Sequence, residues 1–169
     1  MPRKQLFYSF LTFVLLPVAA ILGIGCIMAL PSAIGSPLAL LYLFILISFV
    51  LYTFSSFSFF TRGVQNGKPF KASFKDFIKV NGYVAVISST LIVVFAILFY
   101  TLPAFKTFVA DWLVKMQPAS AGMDKERLAA IIGRGLVGSA GYSVLIIIHF
   151  IITVQLLKQY GNLFVKKAE

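Results

Sequence analysis

Apolar residues run along this chain in long unbroken blocks rather than in alternation with polar ones. From Gln5 to Thr61 there is no Asp, Glu, Lys, Arg or His, a stretch more than twice the roughly 20 residues that carry a helix across a bilayer. Four blocks have the length and apolarity of a span: about 6–30, 38–60, 80–105 and 136–157. Lipid offers the backbone no hydrogen-bond partner, and closed barrels need alternating residues, so each block is predicted to be a helix. The predicted fold class is all-α, a polytopic membrane protein with four transmembrane helices in an antiparallel bundle plus short amphipathic interfacial helices. Residues 1–169 then form a single membrane domain.

The connections carry the remaining pattern. Pro31 to Pro37 holds two prolines and a glycine, which should break the helix and fold the first two spans into a hairpin. Residues 61–79 form a basic loop in which Ser73 and Asp76 resemble a capping box. Phe74, Phe77 and Ile78 share one helical face there, with Lys71, Lys75 and Lys79 recurring every fourth residue on another. This short amphipathic helix should lie at the headgroups and run on into the third span. The segment 106–134 splits at Pro118 and Gly122. In its first piece Phe105, Phe108, Val109 and Trp112 make an apolar stripe, with Phe108 and Trp112 as interface anchors in the aromatic belt. In its second piece Asp124 and Glu126 sit at a helix start, where carboxylates are stabilising. Residues 158–169 read as a tail.

Charge orients this arrangement. With the amino terminus inside, Arg3, Lys4, Arg62, Lys68, Lys71, Lys75, Lys79, Lys158, Lys166 and Lys167 share one side. Lys106, Lys115, Lys125, Arg127 and Arg134 lie on the other. Ten basic residues against five place both termini in the cytoplasm. Counting Asp76 and Glu169 inside, and Asp111, Asp124 and Glu126 outside, the net charge divides as +8 and +2 of the total +10. Because these cations cluster at helix ends, anionic lipid headgroups are the expected partner and nucleic acid is not. Arg62, Lys68, Lys71, Lys75 and Lys79 are the expected lipid or partner contacts. The absence of any Asn-x-Ser/Thr sequon fits a bacterial inner membrane.

Composition narrows the chemistry. Hydrophobic residues make up 60 % of the chain and charged ones 12 %, against about 45–50 % and 25 % in soluble domains. A water-soluble surface cannot be built from that mixture. The first block is longer than the apolar core of a signal peptide, so it is expected to stay as an anchor. Pro17 should kink it, and Ala19 and Gly23 make a small-xxx-small stripe. A lone cysteine, Cys26, excludes an intramolecular disulfide, a CxxC redox pair and a cysteine metal site.

His149 is the only ionisable group other than tyrosine or cysteine inside a block, and such residues are functional candidates because burying them in lipid is costly. At about 100° per residue, Gly135, Ser139, Tyr142, Ile146, His149 and Thr153 fall on one helical face, opposite Val137, Val144, Ile148 and Ile151. Ser139, Tyr142, His149 and Thr153 are therefore the intramembrane polar candidates. Ser48, Tyr52, Ser55 and Ser56 on the second block, and Ser88, Ser89 and Thr90 on the third, are the hydroxyls within reach for interhelical hydrogen bonds.

Enzymatic readings lack their parts. Gly138-Ser139-Ala140-Gly141 departs from a rhomboid motif because its serine is second rather than third. There is no HExxH and no cluster of acids for metal ions, so no catalytic residue, metal ligand or cofactor is expected. Exporters of the small multidrug resistance type depend on an embedded glutamate, which no block contains. A non-catalytic accessory, scaffold or assembly subunit is the expected role, with a membrane-protein partner or a homo-oligomer as its context. The alternative is a small transporter or channel component that acts as an oligomer and uses His149.

Overall fold

A computed structural model describes residues 3–116 and 124–165. Five α-helices dominate it: α1 Arg3–Ala33, α2 Pro37–Ser58, α3 Ala72–Thr101, α4 Pro103–Met116 and α5 Lys125–Gln159. Four stretches are long and apolar enough to cross a membrane, namely α1, α2 with the turns that follow it, α3 and α5. The described residues are almost entirely helical, in agreement with the expected all-α fold.

Element boundaries differ from the hydropathy blocks where polar residues extend an apolar helix. α1 continues through Pro31 to Ala33, so Pro31 does not end it and the turn is confined to residues 34–36. A proline removes only one backbone donor, and this one falls in the final turn, where little of the helix remains to be disrupted. Gly35 takes a positive φ of 101°, and Ser36 caps α2 by accepting from the Ala39 amide at 3.3 Å, with Pro37 in the first turn. The basic amphipathic segment is the opening of α3, which starts at Ala72, one residue before the expected cap Ser73. Pro103 stops α3 and begins α4. The residues from Lys125 are the opening turns of α5 rather than a separate helix. Pro118 and Gly122 lie outside the described residues.

Two units can be distinguished, one comprising Met1–Ser88 with Leu145–Glu169 and the other Ser89–Val144. In the first, α1 and α2 are an antiparallel hairpin. Tyr8 meets Phe60, Phe13 meets Phe57, Gly23 faces Val50, and Cys26 and Ala33 pack with Leu43. After Ser58 the helix widens into a π-helical stretch, Phe59–Gln65, which buries Phe59 and Phe60. Gly63 is required there, because a Cβ would come to 2.9 Å from the Phe70 ring. The chain beyond α5 is ordered into a 3₁₀ turn, Gly161–Leu163, and a short strand β2, Phe164–Val165, paired in parallel with β1, Phe70–Lys71. Phe164 stacks on Phe59 at 5.6 Å and on Phe70 at 6.1 Å. Part of the expected tail is thus clasped to the basic loop.

The second unit is built around Phe99, Val109 and Ala129, with Phe105, Ile132 and Leu136 against them. Gly133 lets α5 approach Tyr100, whose hydroxyl would lie 2.8 Å from a Cβ at that position. The apolar stripe of α4 divides: Val109 is buried, while Phe108 and Trp112, one turn apart, remain exposed. An open cavity of about 350 Å³ is lined by Pro103, Lys106, Thr107, Ala110, Glu126 and Ala129.

Candidate functional site: a buried polar cluster around His149

Beyond Arg3 and Lys4, helix α1 carries no charge and is mostly apolar, yet Gln5, Tyr8 and Thr12 recur on one of its faces at three- and four-residue spacing. Each meets a residue of the chain's last helix or the turn after it. Gln5 Nε2 donates to the Tyr160 hydroxyl at 2.7 Å, Tyr8 lies 3.1 Å from Thr153 Oγ1, and Thr12 Oγ1 lies 2.9 Å from His149 Nε2. Residue numbers rise on α1 as they fall on α5, so the two helices are antiparallel neighbours. Tyr52 of α2 completes the cluster, its hydroxyl 2.8 Å from His149 Nδ1 and 3.0 Å from Thr153 Oγ1.

His149 is entirely buried, as are Tyr8, Tyr52 and Thr153. Tyr8 stacks on the imidazole at 4.5 Å and 16°, and Tyr52 meets it edge-on at 5.6 Å. Behind Tyr52 stands Phe150 at 5.8 Å, and α3 passes close by only because residue 82 is glycine; a Cβ there would strike the Phe150 ring and lie 3.1 Å from Tyr52. Ring packing therefore holds the imidazole on two sides, while both of its nitrogens are engaged.

Counting hydrogens assigns the directions. Thr12 gives its one hydroxyl hydrogen to the Tyr8 carbonyl at 2.8 Å, so it must accept from His149 Nε2–H. Nδ1 of the neutral ring is then an acceptor, filled by the Tyr52 hydroxyl. Thr153 donates to the His149 carbonyl at 2.8 Å and accepts from Tyr8. Six contacts thus share five hydrogens, and the Tyr52–Thr153 pair is the one left over. The Tyr52 proton has two acceptors at nearly equal distance.

Of the four intramembrane candidates on α5, His149 and Thr153 come together, whereas Ser139 is exposed and Tyr142 half-buried in the other unit. Helical angle places these residues on one face, but whether a neighbour covers that face at a given level depends on tertiary packing. Ser143, off that polar face, is buried. Among the α2 hydroxyls Tyr52 alone reaches α5, and Ser56 meets the Tyr8 hydroxyl of α1. Ser48, Ser55 and Ser56 bond carbonyls of their own helix, as does Thr53. Since Thr12 and Tyr52 take both ring nitrogens, the α3 hydroxyls Ser88, Ser89 and Thr90 are not partners of His149. Ser89 is buried and its Oγ has no hydrogen-bond partner.

Tyr8, Thr12, Gln5 and Tyr160 are the members that a reading of single ionisable residues overlooks. The signal for three of them was the polar periodicity of α1 itself. Among the described residues no group of three or more His, Cys, Asp or Glu side chains could hold a metal ion.

The basic candidates lie at the end of the same unit that holds the start of α1 and the β1–β2 pair. Arg62, Lys68 and Lys71 are exposed, while Lys75 and Lys79 are half-buried, with Lys75 Nζ 5.7 Å over the Phe164 ring. Arg3, Lys4 and Lys158 join them, and Asp76 is the one acid among the described residues of that end. No family model, no curated protein and no solved structure matches this chain.

Proposed function

We propose that this protein is a non-catalytic component of a membrane assembly, an accessory, scaffold or assembly subunit, held in a bacterial inner membrane with both termini in the cytoplasm. The observation that carries the reading is the closure of the polar cluster. Both nitrogens of a fully buried His149 are engaged within the chain. Such a group orders helices; it does not present a reactive atom to a substrate. The surfaces left for a partner, whether another membrane protein or a second copy, are the exposed Phe108–Trp112 edge of α4 and the basic end around Arg62, Lys68 and Lys71. The orientation rests on the excess of basic residues on that side.

Native mass spectrometry of the full chain, extracted from its own membrane in a mild detergent, tests the role. A reproducible assembly heavier than the monomer is expected, and recovery only as a lone monomer overturns the reading. Orientation is tested separately in a Cys26→Ala background with Ile34→Cys and Lys68→Cys. Impermeant maleimide should label position 68 from the cytoplasm and position 34 from the opposite side.

A second reading draws on the column Gln5–Tyr160, Tyr8–Thr153 and Thr12–His149–Tyr52, a hydroxyl-imidazole chain leading inward from the basic end. With five hydrogens for six contacts it has the freedom of direction that a proton path needs. Proton flux in liposomes, abolished in His149→Ala, would favour a transporter or channel component; flux that survives the substitution removes His149 from any such path.

A further inference from the structure

At the start of α3 three phenyl rings form a short ladder. Phe70 stacks on Phe74 at 4.7 Å and 15°, and Phe74 on Phe77 at 6.4 Å and 12°. They line an open groove of about 520 Å³ together with Lys71 and Ser73. Phe70 also stacks on Phe164 of the β2 clasp, so the ladder is tied to the chain's last described strand. The groove opens where a polar end gives way to an apolar shaft. Below it α3 continues with Phe77, Val80 and Ile87 exposed at 42 %, 61 % and 62 %, an apolar track on one side of the helix. Around it stand the cations of the basic end. Lys71 projects from the groove wall itself, exposed, whereas Lys75 is engaged over Phe164.

We propose that this groove holds one anionic phospholipid, with the headgroup phosphate paired to Lys71 and the Ser73 hydroxyl and an acyl chain lying over Phe74 and Phe77 toward Val80. Three features select this occupant. The cationic end attracts an anion; the apolar track joins the groove to the hydrocarbon, which a soluble anion or an acidic peptide would not use; and a stacked ring ladder offers flat apolar area to a chain rather than a pocket to a head. The proposal deepens the reading of the basic end as a lipid or partner contact and rests on it. The bound lipid would stiffen the junction between the basic loop and α3 by adding contacts to the rings that line the groove.

The test is native mass spectrometry of the full chain in detergent with added phosphatidylglycerol or phosphatidylcholine at equal concentration. One phosphatidylglycerol is expected to remain bound under activation that removes phosphatidylcholine. Lys71→Ala should lower that occupancy by about fivefold, the worth of one cation at an anionic surface. Lys4→Ala, which is not part of the groove's lining, should lower it by less than about twofold, because an exposed charge that does not touch the headgroup is screened by salt. Phe77→Ser, at a ring 42 % exposed, should also reduce it several-fold in protein whose thermal unfolding in detergent is unchanged. Equal losses for Lys71→Ala and Lys4→Ala would show a delocalised charge patch and overturn the site. So would competition by millimolar inorganic phosphate, or full retention in Phe77→Ser, either of which would mean that the headgroup alone is recognised. The assembly measurement reads mass increments of protein and this one reads mass increments of lipid, so either can fail while the other stands.

Discussion

The two helix contacts made by α1 are of opposite kinds. Against α2 it uses small and apolar residues, Gly23 facing Val50 and Cys26 and Ala33 packing with Leu43. Against α5 and the turn beyond it α1 uses hydrogen bonds, at Gln5, Tyr8 and Thr12. Connectivity accounts for the difference. A turn of three residues already holds α1 and α2 together, so close packing is enough to finish the contact. Thr12 and His149 are 137 residues apart, and in lipid no hydrophobic force drives two apolar helices together. A set of polar groups that satisfy one another in only one register supplies what connectivity does not. The same logic places Tyr52 where it can bond to α5, turning the hairpin into a three-helix contact.

Substitutions should separate these two kinds of contact, as read by thermal or denaturant unfolding in detergent. The largest effect is expected for His149→Ala, which removes a ring packed between Tyr8 and Tyr52 and takes one hydrogen-bond partner each from Thr12 and Tyr52, at a cost of about 3–5 kcal/mol. A loss under about 1 kcal/mol would show that the cluster does not hold the bundle. Gly82→Ala comes next, since its methyl must displace Phe150 or Tyr52, costing about 1–3 kcal/mol in a chain whose polar atoms are all intact. Thr12→Val keeps the shape and deletes the hydroxyl, for about 1–2 kcal/mol. Combined with His149→Ala its effect should largely disappear, because both changes break the same bond; strict additivity would show that the two residues act separately. Smallest is Gly23→Ala on the α2 side, where a Cβ meets Val50 at an ordinary 3.4 Å. It should fall within about 0.5 kcal/mol of neutral or be slightly stabilising, since alanine favours the helix. If Gly23→Ala cost as much as Thr12→Val, the contrast between the two faces of α1 would not hold.

Two members of the cluster are legible in the sequence alone. His149 stands out because a histidine in a span is rare and costly, and Thr153 follows from it by one helical turn. The polar positions of α1 were equally readable by their spacing, but hydroxyls in a membrane helix are common and most bond their own backbone, as Ser48, Ser55 and Ser56 do here. Spacing identifies a face; it does not say which face meets which helix. Ser139 shows the limit from the other direction, for it falls on the same broad helical face as His149 and is nonetheless exposed.

By itself the sequence determined the number and the helical nature of the spans, the hairpin of the first two and the excess of basic residues on one side. These follow from local quantities, the length of apolar runs, the turn residues and the placement of charge, and lipid enforces them by penalising any unbonded backbone. Only the tertiary structure decided that α1 pairs with α5 and the turn after it through Gln5, Tyr8 and Thr12, that Tyr52 alone among the α2 hydroxyls crosses to α5, and that residues 164–165 are clasped to the basic loop by Phe164 against Phe59 and Phe70. Each depends on which distant faces meet, and that is set by the mutual satisfaction of groups about a hundred residues apart rather than by the preference of any one segment.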